Sequence, residues 1–296
     1  MFYLLLPYRA LDVYVRGAFP EFWSMVFLPA VFWSLYRLKG SYRLLYLILS
    51  VFFMSMLILT HNLVMVMAIP FILLWIIFLT FVSKNKKIFL FYSLFVLILP
   101  FLVTSYFWVP SFFEKQYTMI NLLTAELANY GQHFVYFRQF WNSAWGYGGS
   151  IYGLNDGLSF EVGKLHLSLS FLAFVMGVRM VFVKKTRMIG VVVFVLFISL
   201  LFSIFMASFH SKFIWDRIEF LWYMQFPWRY LIFSAFFSSF LAGFVGLVIA
   251  ERRIKFLAVF VLVAVVIVLN MNYFVPAKFY RSVEDSDYTS EDKIRW

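Results

Sequence analysis

The chain has 296 residues, of which 64% are hydrophobic and only 13% charged, and its mean hydropathy is +0.87. Apolar runs of roughly 20 residues recur along it, which excludes a soluble globular core and the short alternating segments of an outer-membrane barrel. The absence of cysteine excludes disulfides and thiolate chemistry, and the net charge of +11 has to be read by position.

Residues 1–21 open with MFYLLL, too short to cross a bilayer or act as a signal peptide. It reads as the stump of a helix, and further N-terminal spans are expected ahead of it. PYRALDVYVRGAFPE follows, gathering Arg9, Asp12, Arg16 and Glu21 just before a long apolar run. Candidate spans then fall at about 22–36, 43–60, 63–82, 88–113, 165–183, 188–208, 226–250 and 256–274. Pro100 is expected to kink the fourth.

The connections after the first, third, fifth and seventh spans are short, and each carries three basic residues. With Arg179, that side holds 13 of the 25 Lys and Arg but one acid, Glu251. This is the positive-inside pattern, so the basic excess reports topology and not a nucleic-acid footprint. It places both termini on the outer side of a bacterial inner membrane, together with loops 1–21, 114–164 and 209–225. Residues 1–275 form one polytopic membrane domain, and the polar tail 276–296 reads as the start of a soluble domain or a disordered end.

His61 and Asn62 sit in the tight turn THN between the second and third spans, where polar side chains cap helix ends. In the long loop, Ile120, Leu123, Leu127, Tyr130, Phe134, Phe137 and Trp141 are spaced 3,4,3,4,3,4. That spacing predicts an amphipathic helix in the outer interface, with Gly131 as a break point. It would rest on lipid or serve as a gate for a lipid-linked substrate. The Gly-rich stretch at 145–166 matches neither a P-loop nor a dinucleotide fold, so close backbone approach or a substrate loop remain.

No histidine pair has the i, i+4 spacing of a helical zinc site, and no HExxH or GxSxG motif occurs. No metal site is assigned. The Asp-Ser-Asp run at 285–287 looks like the metal-binding pair of nucleotide-sugar enzymes but lies in the tail. Candidate carboxylates are Asp12, Glu21, Glu114, Asp156 and Glu161, the first two as weak catalytic candidates. Arg9, Arg16, Arg138 and Arg229 match them as anion binders, since a guanidinium fork suits a phosphate. Each arginine has a second reading as an interface anchor.

Several motifs occur in a fixed order: PYRALDVYVRGAFPE, THN, FWVPSFFEK, DGLSFEVGKLH and QFPWRYL. In this order they resemble the bacterial polytopic proteins called 6-pyruvoyl-tetrahydropterin synthase-related, over nearly the whole chain. No zinc-binding synthase signature accompanies the name. Those proteins resemble the C-type (GT-C) glycosyltransferases and the YfhO-like membrane proteins. The resemblance implies an all-α transmembrane bundle and a polyprenyl-phosphate-linked sugar as donor for envelope glycan or glycoprotein assembly. It also implies a catalytic acid in an outer loop ahead of PYRALDVYVRGA, a region this sequence does not contain. The substrate-binding candidates are Arg9, Arg16, His61, Asn62, Glu114, Asp156 and Arg229, with membrane lipids as surroundings and a divalent cation as the one cofactor suggested. A transporter or flippase, and a non-catalytic scaffold, stand as alternatives.

Overall fold

The computed structural model describes residues 1–119, 128–249 and 251–276. Among them the structure is helical, with one isolated bridge between Val135 and Ser208 as its only β pairing. The helices in chain order are α1 (Pro7–Ala10), α2 (Phe19–Ser41), α3 (Leu44–Thr60), α4 (Asn62–Val82), α5 (Lys86–Val103) and α6 (Ser105–Phe113). There follow α7 (Phe137–Trp141), α8 (Lys164–Phe182), α9 (Arg187–Ala207), α10 (Lys212–Trp215), α11 (Leu231–Val248) and α12 (Arg252–Asn270). Among the described residues, six segments are long and apolar enough to cross a membrane: α4, α5, α8, α9, Pro227–Gly246 and Arg252–Phe274. This is the make-up of a multi-pass helical membrane bundle. The 17-residue α3 is shorter than those six, and α2 also lies outside that set. Glu21, Arg37, Lys39, three serines and two prolines dilute the apolar character of α2.

Tight connections hold one end of the bundle together, here called the basic end. Tyr42 closes α2 with a left-handed φ of 49°, and its hydroxyl lies 2.6 Å from Ser83 Oγ beyond α4. Asn85 and Glu251 cap α5 and α12 by accepting from the amides of Ile88, Arg253 and Ile254. The opposite, polar end carries residues 7–18, His61, and the loops 128–163 and 208–230. His61 Nδ1 accepts from Val64 N at 3.2 Å, so the THN turn does cap a helix.

Two sub-bundles, α2–α5 and α8–α9–α11, meet along a ladder of rings. Phe71 lies 4.6 Å from Phe233 and 5.2 Å from Phe237, and Phe32 lies 5.0 Å from Phe236. Helix α11 is the centre of the molecule, with 83% of its spanning window buried, whereas α12 at 11% runs along the periphery. A helix apolar on all sides belongs inside, where every face finds a partner.

Two expectations are corrected. The fourth span divides at Thr104 into α5 and α6. Its hydroxyl bonds back to Pro100 O at 2.7 Å, and Pro100 itself sits inside the last turn of α5. The amphipathic helix is not continuous over its described part. Tyr130–Gln132 is a 3-10 turn, Val135 is extended, and only Phe137–Trp141 is α-helical. The same aromatic residues are spent on tertiary contacts: Tyr130 stacks between Trp215 and Trp222, and Val135 exchanges backbone hydrogen bonds with the end of α9. Ile120, Leu123, Glu126 and Leu127 of that helix lie outside the described residues, as do the Asp-Ser-Asp run and the rest of 277–296.

Candidate functional site

The segment Pro7–Glu21 folds back on itself at the polar end. After α1, residues Leu11–Val15 widen into a π-helical turn, closed by Arg16 N donating to Leu11 O at 3.0 Å. Such a turn re-aims side chains and is frequent at functional sites. Gly17, with φ 60°, reverses the chain, a backbone conformation that costs glycine little. Helix α2 then begins at Phe19 with Pro20 as its second residue, which places Glu21 in its first turn facing inward.

Glu21 is the hub. Its Oε1 accepts from the Tyr8 hydroxyl at 2.5 Å and its Oε2 from Arg16 Nη2 at 2.9 Å. Arg229 Nε approaches Oε2 at 3.5 Å and His61 Nε2 at 4.0 Å. Arg16 also donates to Asp12 Oδ1, one helical turn back. Arg229 is buried, not snorkelled to an interface: its Nη1 donates to Met224 O at 2.7 Å. Gln225, at φ 64°, turns the chain there and brings its own Oε1 within 3.4 Å of the same nitrogen. Aromatic faces complete the lining, with Arg16 4.3 Å over Trp228 and Arg229 5.0 Å over Phe226.

The cluster is closed. Asp12 and Glu21 are fully buried, while the side chains of Arg16, Arg229 and His61 keep 13%, 10% and 15% of their surface exposed. Any outside ligand therefore meets the cations and the imidazole first. Three buried polar atoms in or beside the cluster lack a hydrogen-bond partner: Asp12 Oδ2, Arg229 Nε and Trp228 Nε1. Burial, and then the neighbouring charge of Glu21, raises the Asp12 carboxyl well above its usual range against the pull of Arg16. Glu21 is surrounded by donors and is poorly placed to take a proton. Asp12, with one unpartnered oxygen, is the better proton site.

Burial lowers the His61 imidazole to about 4, with the charge of Glu21 opposing the shift. Unfolded His61 would bind its proton near 6.5, so the unfolded state holds more protons between these values and stability falls as pH drops through the window. The expected loss is up to about 3 kcal/mol between pH 6.5 and 4. Thermal unfolding in detergent should show a shallower acid-side slope for His61→Gln than for wild type; equal slopes would refute the assignment.

The remaining candidates lie outside this cluster. Arg9 sits over the Phe22 ring at 4.7 Å, and Asn62 bonds the Leu63 amide. Glu114 and Arg138 are exposed. Asp156 accepts from Gln139 Nε2 at 2.7 Å and from Ile151 N at 2.9 Å, and thereby shapes the Gly-rich loop. Within that loop Gly148 N donates to Gly157 O and Gly157 N to Gly149 O, so closely that a Cβ at 157 would lie 2.7 Å from Gly148 Cα. Glu161 ties the loop to Tyr273 at 2.8 Å. This loop roofs the cluster through Phe160, 5.9 Å from Trp228.

Sequence reasoning missed Tyr8, Gln225 and Trp228. All three stand inside the quoted motifs PYRALDVYVRGAFPE and QFPWRYL, so their signal was proximity to charges and nothing chemical of their own. Among the described residues, no three His, Cys, Asp or Glu side chains converge as a metal site. No protein-family model matches the chain, and no curated protein or solved structure matches it either.

Proposed function

We propose that this protein is a glycosyltransferase-like membrane protein that binds a polyprenyl-phosphate-linked sugar at the outer face of a bacterial inner membrane. The reading is supported by one observation above all: Asp12, Arg16, Glu21, His61 and Arg229, drawn from three separate segments, converge at the polar end. The substrate phosphate competes with Glu21 for Arg16 and Arg229, whose partly exposed edges are the cluster's outward face. A divalent cation brought with the substrate would share that charge. In the transfer, an acceptor oxygen bonds the anomeric carbon as the bond to the carrier phosphate breaks. The carrier leaves as polyprenyl phosphate, steadied by the guanidiniums, and the acceptor proton passes to a carboxylate.

A second reading, a transporter or lipid flippase, draws on the same Asp12. A buried carboxyl with a raised proton affinity suits proton-coupled movement. The scaffold reading expects arginines and carboxylates scattered towards headgroups, whereas four of them converge. The test is incubation of the purified full-length protein with labelled polyprenyl-phosphate sugar and envelope acceptors. Transfer that drops at least about tenfold in Arg229→Gln is the expected result. Substrate flux in proteoliposomes without transfer would move the assignment to the second reading.

A further inference from the structure

The bundle contains a second feature remote from the cluster. A groove of about 940 Å³ opens between the two sub-bundles. Its floor is Leu79 and Val193, both buried, and its rim is Tyr36, Phe240 and Met188, each about half exposed. Along α2 it runs from Pro29 to Lys39, about 15 Å at the rise of an α-helix. That is the depth of one leaflet, half of a hydrocarbon core of about 30 Å. Its lining is apolar except for the backbone with the Met1 amino group, the hydroxyls of Tyr3, Tyr36 and Ser239, the Trp75 indole N–H, and one charged side chain, Lys39, at the basic end.

Lys39 is the informative residue. Its ammonium rests 4.9 Å over the Tyr36 ring and makes no ion pair among the described residues. The one acid of that end, Glu251, is committed to capping α12. A one-leaflet apolar groove ending at an unpaired cation is complementary to a single kind of molecule. We propose that the groove seats an anionic phospholipid of the leaflet that meets the basic end, its acyl chain in the groove and its headgroup phosphate at Lys39. Gly243 leaves room for the chain, since a Cβ there would meet nothing within 4 Å.

Trp75 lines the groove and reports its occupant. The protein is placed in phosphatidylcholine vesicles with a minor fraction of phosphatidylglycerol, bromine being carried on the acyl chains of one lipid or the other. The fluorescence lost on Trp75→Phe defines the Trp75 component. Brominated phosphatidylglycerol should quench that component with a roughly fivefold preference over brominated phosphatidylcholine, the effect of one lysine beside an anionic lipid. Lys39→Gln should abolish the preference and Lys39→Arg should keep it. Gly243→Phe, which fills the groove, should lower quenching by both lipids. Equal quenching by both lipids, none by either, or a preference indifferent to Lys39→Gln would each overturn the proposal. No sugar transfer enters this assay, so it fails or succeeds apart from the glycosyltransferase reading.

Discussion

Glu21→Gln should cost about 3–5 kcal/mol of stability, the largest loss expected from any single isosteric change in this protein. The amide keeps the shape of the carboxylate and can still accept from Tyr8. It removes the one carboxylate that, among the described residues, ion-pairs with both Arg16 and Arg229, whose guanidiniums are nearly buried. Two cations then oppose each other at the polar end with Asp12 as their remaining counter-charge, itself held towards its neutral form. Asp12→Asn is the control. Its amide oxygen keeps the bond from Arg16, and its nitrogen replaces an oxygen that had no partner. That variant should lose about 1 kcal/mol or less. Unfolding in detergent by heat or by graded SDS ranks the two. The hub description is wrong if Glu21→Gln proves as stable as Asp12→Asn.

Gly190→Ala should cost about 1–3 kcal/mol, and Gly190→Leu more, for a purely steric reason. A Cβ at 190 would lie 2.7 Å from Gly177 O and 2.8 Å from Val181 N, both backbone atoms that cannot rotate away. Helices α8 and α9 must part to admit it, and small residues at such crossings are what permits close approach in membranes. Gly177 faces the same crossing from the other side, where a Cβ would lie 2.7 Å from Val193 Cγ1. Gly243→Ala is the contrast, because its Cβ enters open space and alanine is the better helix former. It should match or exceed wild type. A melting series in which Gly190→Ala and Gly243→Ala coincide would remove the close crossing from the account.

The sequence made the helices legible because each apolar run is bounded by caps, prolines or basic residues. A helix stands at every predicted span, and α4, for example, begins and ends within a residue of expectation. The fourth span was misread because hydropathy does not register Thr104, where a hydroxyl bonded to Pro100 O ends α5 without any polar interruption. The interfacial helix was misread for a different reason. Helical spacing of Tyr130 and Phe134 is also what a folded loop shows when its rings pack on partners distant in sequence, here Trp215, Trp222 and Phe209. For the site, charge alone gathered Asp12, Arg16, Glu21, His61 and Arg229 on one side of the membrane. It could not separate them from Arg9, Asn62, Glu114 and Asp156, because convergence depends on the π turn and on the reversal at Gly17. The groove left no trace in sequence, since its walls read as ordinary spans.

The first six residues are fastened at three places far apart in the chain. Tyr3 donates to Met25 O at 2.7 Å, the Phe2 carbonyl lies 3.1 Å from His166 Nε2, and the Leu5 carbonyl accepts from Asn270 at 2.6 Å. The last two pairings join residues 164 and 265 positions apart. Helices that enter a bilayer pair by pair during synthesis can close their local hairpins early, but contacts of such separation form late. The Phe2 and Leu5 carbonyls must therefore wait for α8 and α12 to emerge before they are satisfied. In assembly order, Met1–Leu6 settles only after the helices that carry Met25, His166 and Asn270 are in place.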